Sequence, residues 1–187
     1  MAPAVERFDI DGLLLLRPQK YRDARGYFVE TYNALAFAQV GIDCVFVQDN
    51  QALSLRTGTI RGLHFQAPPA AQAKLVRVLN GSIFDVAVDL RHGSRTYGRW
   101  RGVSLSAADD AQFFIPVGFA HGYCTLEADT QVAYKVDKFY APASEAGLRW
   151  DDPDIGVKWP TSPGEATISG KDANLPLFKS FVSPFAL

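Results

Sequence analysis

Alternating apolar and polar residues divide most of the chain into short segments bounded by glycine or proline. Such segments are typical of β-strands. The clearest pair is Lys74–Leu79 and Ser82–Leu90, which flank an Asn-Gly pair at 80–81. Both residues of that pair tolerate the positive φ of a type I′ turn, so the pattern predicts a β-hairpin. In its second strand Phe84, Val86, Val88 and Leu90 share one apolar face, whereas Asp85 and Asp89 lie on the other.

Most of the remaining pattern also predicts strands. These are Leu13–Arg17, Val45–Ser54, Thr59–Gln66, Trp100–Ser104, Gln112–Pro116, Gly122–Glu127 and Thr130–Val136. Only residues 33–40 are predicted to be helical, because Asn33 can cap an alanine-rich stretch. The proline- and glycine-rich residues 153–187 are expected to wrap the strands irregularly. Many short strands with almost no helix favour an all-β barrel or jelly roll, which encloses a cavity between its sheets.

The composition narrows the class of protein. A length of 187 residues with 48% hydrophobic content fits one domain, residues 1–187, with a sizeable core. The net charge of −1, with both signs interspersed, argues against nucleic acid or an anionic membrane as a partner. The leucine run Leu13–Leu16 is far too short to span a bilayer, and no charged and apolar leader precedes it. We therefore expect a cytoplasmic protein.

Two histidines stand where they can carry chemistry. His64 lies on a predicted strand, three residues after Arg61 and ten residues before Lys74. His121 follows residues 115–120, whose proline and glycine predict a tight connection that projects the histidine from the start of a strand. The alternative for His64 is a hydrogen-bonded histidine of the barrel wall without a catalytic role.

These two stretches have the form of the paired motifs of cupin barrels. A metal-binding cupin supplies two histidines one residue apart, a glutamate and a further histidine, because a divalent metal needs three or four converging ligands. Here Gln66 stands two residues after His64, and Lys74 lies where the acid is needed. A cation beside the ligands repels a metal ion. We therefore expect a cupin pocket that binds no metal and uses no cofactor.

The chain as a whole resembles the dTDP-4-dehydrorhamnose 3,5-epimerase family. The residues that carry the resemblance are Asp23–Glu30, Phe46–Gln51, Ile60–Gln66, Lys74–Val78, Pro116–Tyr123, Tyr134–Val136 with Tyr140, and Lys171–Asp172 before Leu175–Pro176. Each motif is weak alone, but their order along most of the chain is specific. The resemblance implies a double-stranded β-helix, which is a cupin-like jelly roll, with short peripheral helices. It also implies a homodimer.

The resemblance further implies a reaction, which agrees with the chemistry of the residues. The substrate is a 4-keto-6-deoxy sugar linked to dTDP, whose ketone acidifies the hydrogens at carbons 3 and 5. By resemblance, His64 is the base and Asp172 orients it, and a neutral imidazole suits proton removal near neutral pH. Tyr134 is the acid on the opposite face of the sugar. It alternates with Val132 and Val136, so its ring is expected to point into the barrel.

Two more residues receive catalytic or binding roles from the resemblance. Lys74 stabilises the enolate oxygen that forms when a carbon is deprotonated, as a fixed cation aimed at developing charge does. His121 helps to bind the sugar or polarises the ketone.

Side chains must also hold the nucleotide, because the sequence contains no phosphate loop or dinucleotide motif. By resemblance the substrate-binding residues are Arg25, Glu30, Gln48, Asp49, Asn50, Arg61, Lys74, His121, Tyr140, Glu145 and Lys171. Arginine suits diphosphate oxygens, and Tyr140 stacks on the thymine. In such families the N-terminal segment often crosses to a second subunit, so Arg25 and Glu30 serve either their own pocket or the neighbour's.

Strand geometry conflicts with one of these assignments. Strict alternation places His64 with Ile60 and Gly62 on one face and Arg61 on the other. If both Arg61 and His64 contact the substrate, a bulge near Gly62 or a swap of strand order must turn the chain, and glycine is where a bulge costs least.

Three alternatives remain open from the sequence. The nearest is a relative that inverts only one of the two carbons, since the same base and acid serve both reactions. The second is a cupin that only binds a nucleotide sugar or another anion, which does not need both His64 and Tyr134. The third is a metal-dependent cupin oxygenase or isomerase, which Gln66 disfavours.

Overall fold

The computed structural model describes residues 2–186, and within them the chain is almost entirely β-structure. The strands are β1 (Ala4–Arg7), β2 (Leu14–Arg17), β3 (Lys20–Asp23), β4 (Gly26–Val29), β5 (Gln48–Ser54), β6 (Ile60–Gln66), β7 (Lys74–Asn80), β8 (Ser82–Asp89), β9 (Arg91–His92), β10 (Trp100–Ser106), β11 (Gln112–Ile115), β12 (Phe119–Thr125), β13 (Thr130–Val136), β14 (Glu145–Gly147) and β15 (Phe185–Ala186). The helices are α1 (Ala34–Ala38) and α2 (Gly170–Ala173), with short 3₁₀ turns at Pro142–Ser144 and Phe178–Ser180. No helix in the described range is long and apolar enough to cross a membrane.

Two antiparallel sheets form the body of the protein. One has six strands in the order β1-β2-β11-β7-β13-β5, and the other has five in the order β10-β8-β12-β6-β14. From β5 to β8 and from β10 to β14 consecutive strands alternate between the sheets, so most neighbours within a sheet are distant along the chain; the β1–β2 and β8–β10 pairs are the exceptions. This is the predicted cupin-like jelly roll with short peripheral helices, and its cavity lies between the two sheets.

The predicted β-hairpin is wrong, although both of its strands exist. β7 pairs with β11 and β13 in the larger sheet, whereas β8 pairs with β10 and β12 in the smaller one. The turn at 80–81 therefore carries the chain from one sheet to the other. Gly81 has a φ of +77°, and a Cβ there would lie 2.4 Å from Thr130 Oγ1, so the corner requires glycine. Alternation separated the two faces of β8 correctly, but it did not show that both are buried. The face that carries Asp85 points into the barrel.

Apolar clusters fill the interior and cover both outer faces. Between the sheets, Val76, Phe113 and other buried residues close one end of the barrel. Helix α1 packs Phe37 on the outside of the larger sheet. Asn33 caps that helix as predicted, with its side-chain oxygen accepting from Ala36 N at 3.2 Å. The C-terminal residues cover the smaller sheet with Ile155, Phe185 and their neighbours.

The C-terminal segment is less irregular than predicted. It wraps the smaller sheet as expected, but it also contains α2 and the short β15, which pairs with β9. Buried Asp152 fastens it: Oδ1 accepts from Asp154 N and Ile155 N, both at 2.9 Å, and Oδ2 accepts from Phe178 N at 2.7 Å. Helix α2 of the same segment lies against the cavity, which Ser169 and Asp172 line.

Candidate active site

A cavity of about 500 Å³ opens between the two sheets. The larger sheet contributes Lys74 and Tyr134, and the smaller sheet contributes Arg61, His64 and His121. The other lining residues are Ala52, Thr59, Ile60, Tyr123, Thr167, Ile168, Ser169 and Asp172. A second compartment of about 330 Å³ is lined by Gln48, Asn50, His64, Phe65, Gln66, Gln72, Lys74, Tyr134, Tyr140 and Glu145. The two compartments share His64, Lys74 and Tyr134. These three residues therefore lie at the junction, where they would contact the central part of a ligand that occupies both compartments.

A bulge at Gly62 brings Arg61 and His64 into the same cavity. On β6 the step from Arg61 to His64 covers three residues, but the partners Tyr123 and His121 on β12 are only two apart. Gly62 has a φ of +133°, and a Cβ there would lie 2.5 Å from Gly122 Cα. The extra residue rotates the strand, which resolves the conflict with strict alternation and confirms the bulge.

His64 forms a dyad with Asp172, across 108 positions of sequence. His64 Nε2 lies 2.8 Å from Asp172 Oδ1, and Gly62 N donates to Asp172 Oδ2 at 3.2 Å. Burial by itself would raise the pKa of Asp172, but the hydrogen bonds from His64 and Gly62 lower it overall. An ionised Asp172 accepts the Nε2 proton and leaves Nδ1 of His64 as the basic nitrogen.

Lys74 lies on the opposite sheet at the meeting point of the two compartments. Its ammonium donates to His64 O at 3.4 Å. Burial lowers the pKa of Lys74 to about 8, against the opposing attraction of Asp85 and Glu145. A lysine of this kind carries its charge at neutral pH and loses it in mildly alkaline solution.

Two tyrosines face the same space. Burial raises the pKa of Tyr134, with Arg61 acting in the opposite direction, so the phenol is protonated at neutral pH. Tyr123 is more deeply buried, and burial raises its pKa to about 12. Its hydroxyl makes no hydrogen bond within residues 2–186. Sequence reasoning missed Tyr123 as a cavity residue, although it lies two residues after His121 on β12 and alternation therefore places both on one face.

His121 also forms a dyad with a buried carboxylate. Its Nε2 lies 2.5 Å from Asp85 Oδ1. Burial lowers the pKa of His121, while Asp85 opposes that shift. No role for Asp85 was predicted from the sequence. The available signal was a charged residue in the middle of a strand whose other residues are nearly all apolar.

The second compartment has an exposed aromatic ring and polar side chains that suit the binding of a nucleotide base. Tyr140 is exposed, and its hydroxyl donates to Glu145 Oε2 at 2.9 Å. Lys171 pairs with the same oxygen at 2.6 Å. Gln48 accepts from Tyr140 N at 3.0 Å and donates to Asn50 Oδ1 at 2.9 Å. An exposed aromatic ring held by hydrogen bonds can stack on a planar base.

Gln66 has a structural task in this region. Its amide nitrogen donates to Ala70 O at 2.7 Å and to Phe139 O at 3.3 Å, and its oxygen accepts from Ala141 N at 2.8 Å. The side chain thus ties the loop between β6 and β7 to the loop that carries Tyr140. Within residues 2–186 no group of three or more histidine, cysteine or acidic side chains is placed to hold a metal ion.

Arg61 lines the cavity, whereas four other predicted binding residues, Arg25, Glu30, Asp49 and Lys171, line neither compartment. Arg61 Nε donates to Ser54 Oγ at 3.2 Å, and its NH2 donates to Leu53 O at 3.0 Å. Asp49 lies on the outer face of β5, where it pairs with Lys135 at 2.8 Å. Arg25 and Glu30 are exposed beyond the barrel, Arg25 in the β3–β4 turn, where it pairs with Asp23.

Comparisons with known proteins agree with this geometry. The family model described as dTDP-4-dehydrorhamnose 3,5-epimerase matches residues 7–180. A dTDP-4-dehydrorhamnose 3,5-epimerase from Methanothermobacter thermautotrophicus is 50% identical over 166 residues, 88% of this chain and 89% of that protein. The crystal structure of dTDP-6-deoxy-D-glucose-3,5-epimerase from Legionella pneumophila in complex with dTDP-4-keto-L-rhamnose has a TM-score of 0.91 and 42% identity, covering 96% of this chain and 94% of that one. A dTDP-4-dehydrorhamnose 3-epimerase from Streptomyces niveus is 36% identical over 164 residues, 87% of this chain and 78% of that protein.

Proposed function

The chain belongs to the dTDP-4-dehydrorhamnose 3,5-epimerase family, and we propose that His64 and Tyr134 are the base and the acid of its reaction. The protein is an isomerase that converts dTDP-4-dehydro-6-deoxy-D-glucose to dTDP-4-dehydro-L-rhamnose, in dTDP-L-rhamnose biosynthesis. The observation that carries the proposal is that the His64–Asp172 dyad and the Tyr134 phenol project from opposite sheets into one cavity.

Inversion of a carbon needs proton removal on one face of the sugar and proton delivery on the other. His64 Nδ1 takes the hydrogen from carbon 3 or carbon 5, and the electron pair of the broken C–H bond moves to the ketone oxygen. Asp172 holds the imidazole in the tautomer that this step needs. The proton that Nδ1 gains makes an imidazolium, which the Asp172 carboxylate stabilises.

Two side chains of the larger sheet stabilise the enolate and then protonate it. The Lys74 ammonium lies beside the developing oxyanion and lowers its energy. The Tyr134 phenol then delivers a proton to the face opposite His64. Burial keeps that phenol protonated until the carbanion character of the enolate draws the proton away. Solvent returns a proton to the phenolate and takes the proton from His64 before the second carbon reacts.

The nucleotide occupies the second compartment. Thymine stacks on the Tyr140 ring, which Glu145 and Gln48 hold in place. Arg61 binds the diphosphate after leaving its contacts with Ser54 and Leu53. Lys171 and Asn50 contribute further polar contacts at this end.

Turnover is expected without a metal ion. A Lys74 ammonium beside His64 and a Gln66 amide engaged by three backbone groups leave no ligand set that suits a divalent cation. We would assay the purified protein with dTDP-4-dehydro-6-deoxy-D-glucose, coupled to a rhamnose-forming reductase, before and after exhaustive chelation. Equal rates are expected. Activity that is lost on chelation and restored by zinc, manganese or iron contradicts the metal-free mechanism, and activity absent in both cases contradicts the reaction itself.

The functional unit is proposed to be a homodimer in which the β3–β4 hairpin crosses to the partner. Among residues 2–186 the strands β3 and β4 pair only with each other, and Tyr21, Tyr27 and Phe28 are exposed. Exposed aromatic residues of this kind are typical of interfaces. In the crossed arrangement Arg25 and Glu30 complete the neighbour's nucleotide site. Asp49, on the outer face of β5, then contacts the substrate only if the partner's cavity lies against that face.

Mixed dimers test this arrangement. Arg25→Ala and His64→Ala are each expected to lose activity, the first by about 10- to 100-fold in kcat/KM from one lost charge-assisted contact. If Arg25 serves the neighbour, co-refolding the two variants restores activity in one site of each mixed dimer, which is about a quarter of all sites for a two-fold symmetric pair. An Arg95→Ala variant is the control for a neutral arginine substitution. No restoration on mixing places Arg25 in its own subunit's site or outside any site.

The remaining proposals concern the whole chain. We propose that residues 1–187 act as one domain, because the two sheets share one interior core and the C-terminal segment covers the smaller sheet. A cytoplasmic location is proposed from the nucleotide-sugar substrate.

A further inference from the structure

Asp85 is a buried carboxyl group beside the cavity that takes no part in the proposed proton transfers. It lies in the middle of β8 with 0% of its surface exposed. Its neighbours Phe84 and Val86 pack outward under the C-terminal segment, so the carboxylate points between the sheets. Asp85 therefore does not belong to a solvent-exposed polar face of the strand.

The hydrogen bonds of Asp85 are incomplete. Oδ1 lies 2.5 Å from His121 Nε2, while Oδ2 makes no hydrogen bond within the part of the chain that the structure describes. A buried carboxylate is costly unless nearby positive charge balances it. Lys74 is the cavity group whose positive charge can balance it, and His121 supplies a hydrogen bond. The carboxylate thus belongs electrostatically to the catalytic centre.

Lys74 receives its electrostatic environment from five other strands. The groups that face it are Asp85 on β8, Glu145 on β14, His64 on β6, His121 on β12 and Tyr134 on β13. Burial lowers the pKa of Lys74 to about 8, and Asp85, ahead of Glu145, opposes that shift. Glu145 is already paired with Lys171 at 2.6 Å. Asp85 is therefore the carboxylate whose charge is most available to Lys74.

We propose that Asp85 is a positioning residue of the epimerase reaction, which keeps the Lys74 ammonium charged and fixes the proton of His121 on Nε2. This inference rests on the proposed function, since it assigns how two groups of that site are maintained. Lys74 stabilises the enolate oxygen only as an ammonium. An ionised Asp85 accepts the His121 Nε2 proton, which leaves Nδ1 with a lone pair.

The second consequence decides between the two roles that His121 could have. Burial disfavours a charged imidazole, so the ring is neutral at working pH and its one N–H is directed at Asp85. Nδ1 then accepts a hydrogen bond and cannot donate one. His121 therefore binds a sugar hydroxyl, and Lys74 alone polarises the ketone.

Asp85→Asn tests the charge. Asparagine preserves the size of the side chain and an oxygen that can accept from His121 Nε2, but it removes the negative charge beside Lys74. Without that charge the pKa of Lys74 falls further. The ammonium is therefore deprotonated at a lower pH than in the wild type. We expect the alkaline limb of the kcat profile to move to lower pH by about one unit or more. At neutral pH kcat should fall about twofold if the pKa of Lys74 falls by one unit and about tenfold if it falls by two, below the roughly 10²–10³-fold cost of losing a direct oxyanion donor. The affinity for dTDP should not change.

Asp89→Asn is the matched control. Asp89 is also fully buried on β8, but its carboxylate binds Arg91, Ser94 and Thr96 at one end of the strand, away from the cavity. We expect a lower melting temperature and an unchanged pH profile. If Asp85→Asn also leaves the pH profile and kcat unchanged, Asp85 has only a structural role and the proposal is overturned.

A measurement on the unmodified protein covers the case in which Asp85→Asn does not fold. The ¹⁵N shifts of the His121 ring at neutral pH report which nitrogen carries the proton. The proposal requires the Nε2–H tautomer, and an Nδ1–H tautomer overturns it by showing a protonated Asp85. The same wild-type sample, assayed with the dTDP-keto sugar, separates the two ideas. An inactive wild type rejects the proposed function, whereas an active wild type with the wrong tautomer rejects only the role of Asp85.

Discussion

His64→Ala is expected to abolish epimerisation while leaving the affinity for dTDP nearly unchanged. The base removes protons from the sugar, and loss of general base catalysis typically costs about 10²–10⁴-fold in rate. That factor corresponds to roughly 3–5 kcal/mol of activation barrier. The nucleotide contacts proposed for Tyr140 and Arg61 do not involve the imidazole, so binding of dTDP is retained. The measurements are kcat in the coupled assay and titration calorimetry with dTDP.

Two further variants serve as a comparison and as a control for His64→Ala. Asp172→Asn should lose less activity than His64→Ala, because Asp172 orients the base and does not itself remove the proton. His92→Ala is the control, since His92 is exposed on β9 and lies outside both compartments. Near-normal turnover by His64→Ala would show that another group is the base.

Tyr134→Phe is expected to separate proton removal from proton return. Without the phenol, His64 can still remove a proton and Lys74 can still stabilise the enolate. Reprotonation then occurs on the original face, or slowly by water. In heavy water the variant should therefore incorporate deuterium at carbons 3 and 5 of recovered substrate, and it should form inverted product at least about 10²-fold more slowly than wild type. NMR of the recovered sugar reports both quantities.

The wild-type enzyme and a second tyrosine variant complete the experiment. Wild type should yield product deuterated and inverted at both carbons when the reductase traps it. Tyr97→Phe, which alters a partly buried tyrosine outside the cavity, should behave like wild type. Exchange and inversion at only one carbon would assign the protein to the single-centre members of the family and retain the mechanism. No exchange in active wild-type enzyme would exclude the enolate.

The strands and their buried faces were largely predictable from the sequence. β13 begins and ends where the alternation predicts, and β6, β7 and β11 differ by one residue at an end. Strand periodicity is a local property, because successive side chains point to opposite faces whatever the partner strand is. Differences arose where the local signal is weak. β5 begins three residues later than predicted, and the β3–β4 hairpin was not predicted at all.

Strand pairing was not predictable in this way. A good turn sequence at 80–81 favoured a hairpin, yet the two strands joined by it belong to different sheets. The choice depends on how both faces of β8 are buried, one against the C-terminal segment and the other inside the barrel. Burial of both faces is decided by residues far away in sequence, and no local pattern contains it.

The sequence by itself determined the chemistry of the candidate site and, through the order of its motifs, the family. His64, Lys74, Tyr134 and Asp172 were named from motifs, and all four line the cavity. It also predicted that either a bulge near Gly62 or a swap of strand order must turn the chain if Arg61 and His64 are to share a cavity, and the structure has the bulge. Only the tertiary structure decided that His121 faces the buried Asp85 and that Arg25 stands outside its own cavity. The physical reason is the same in both cases. A residue's chemistry depends on its side chain, but its charge environment depends on which distant strands are packed around it.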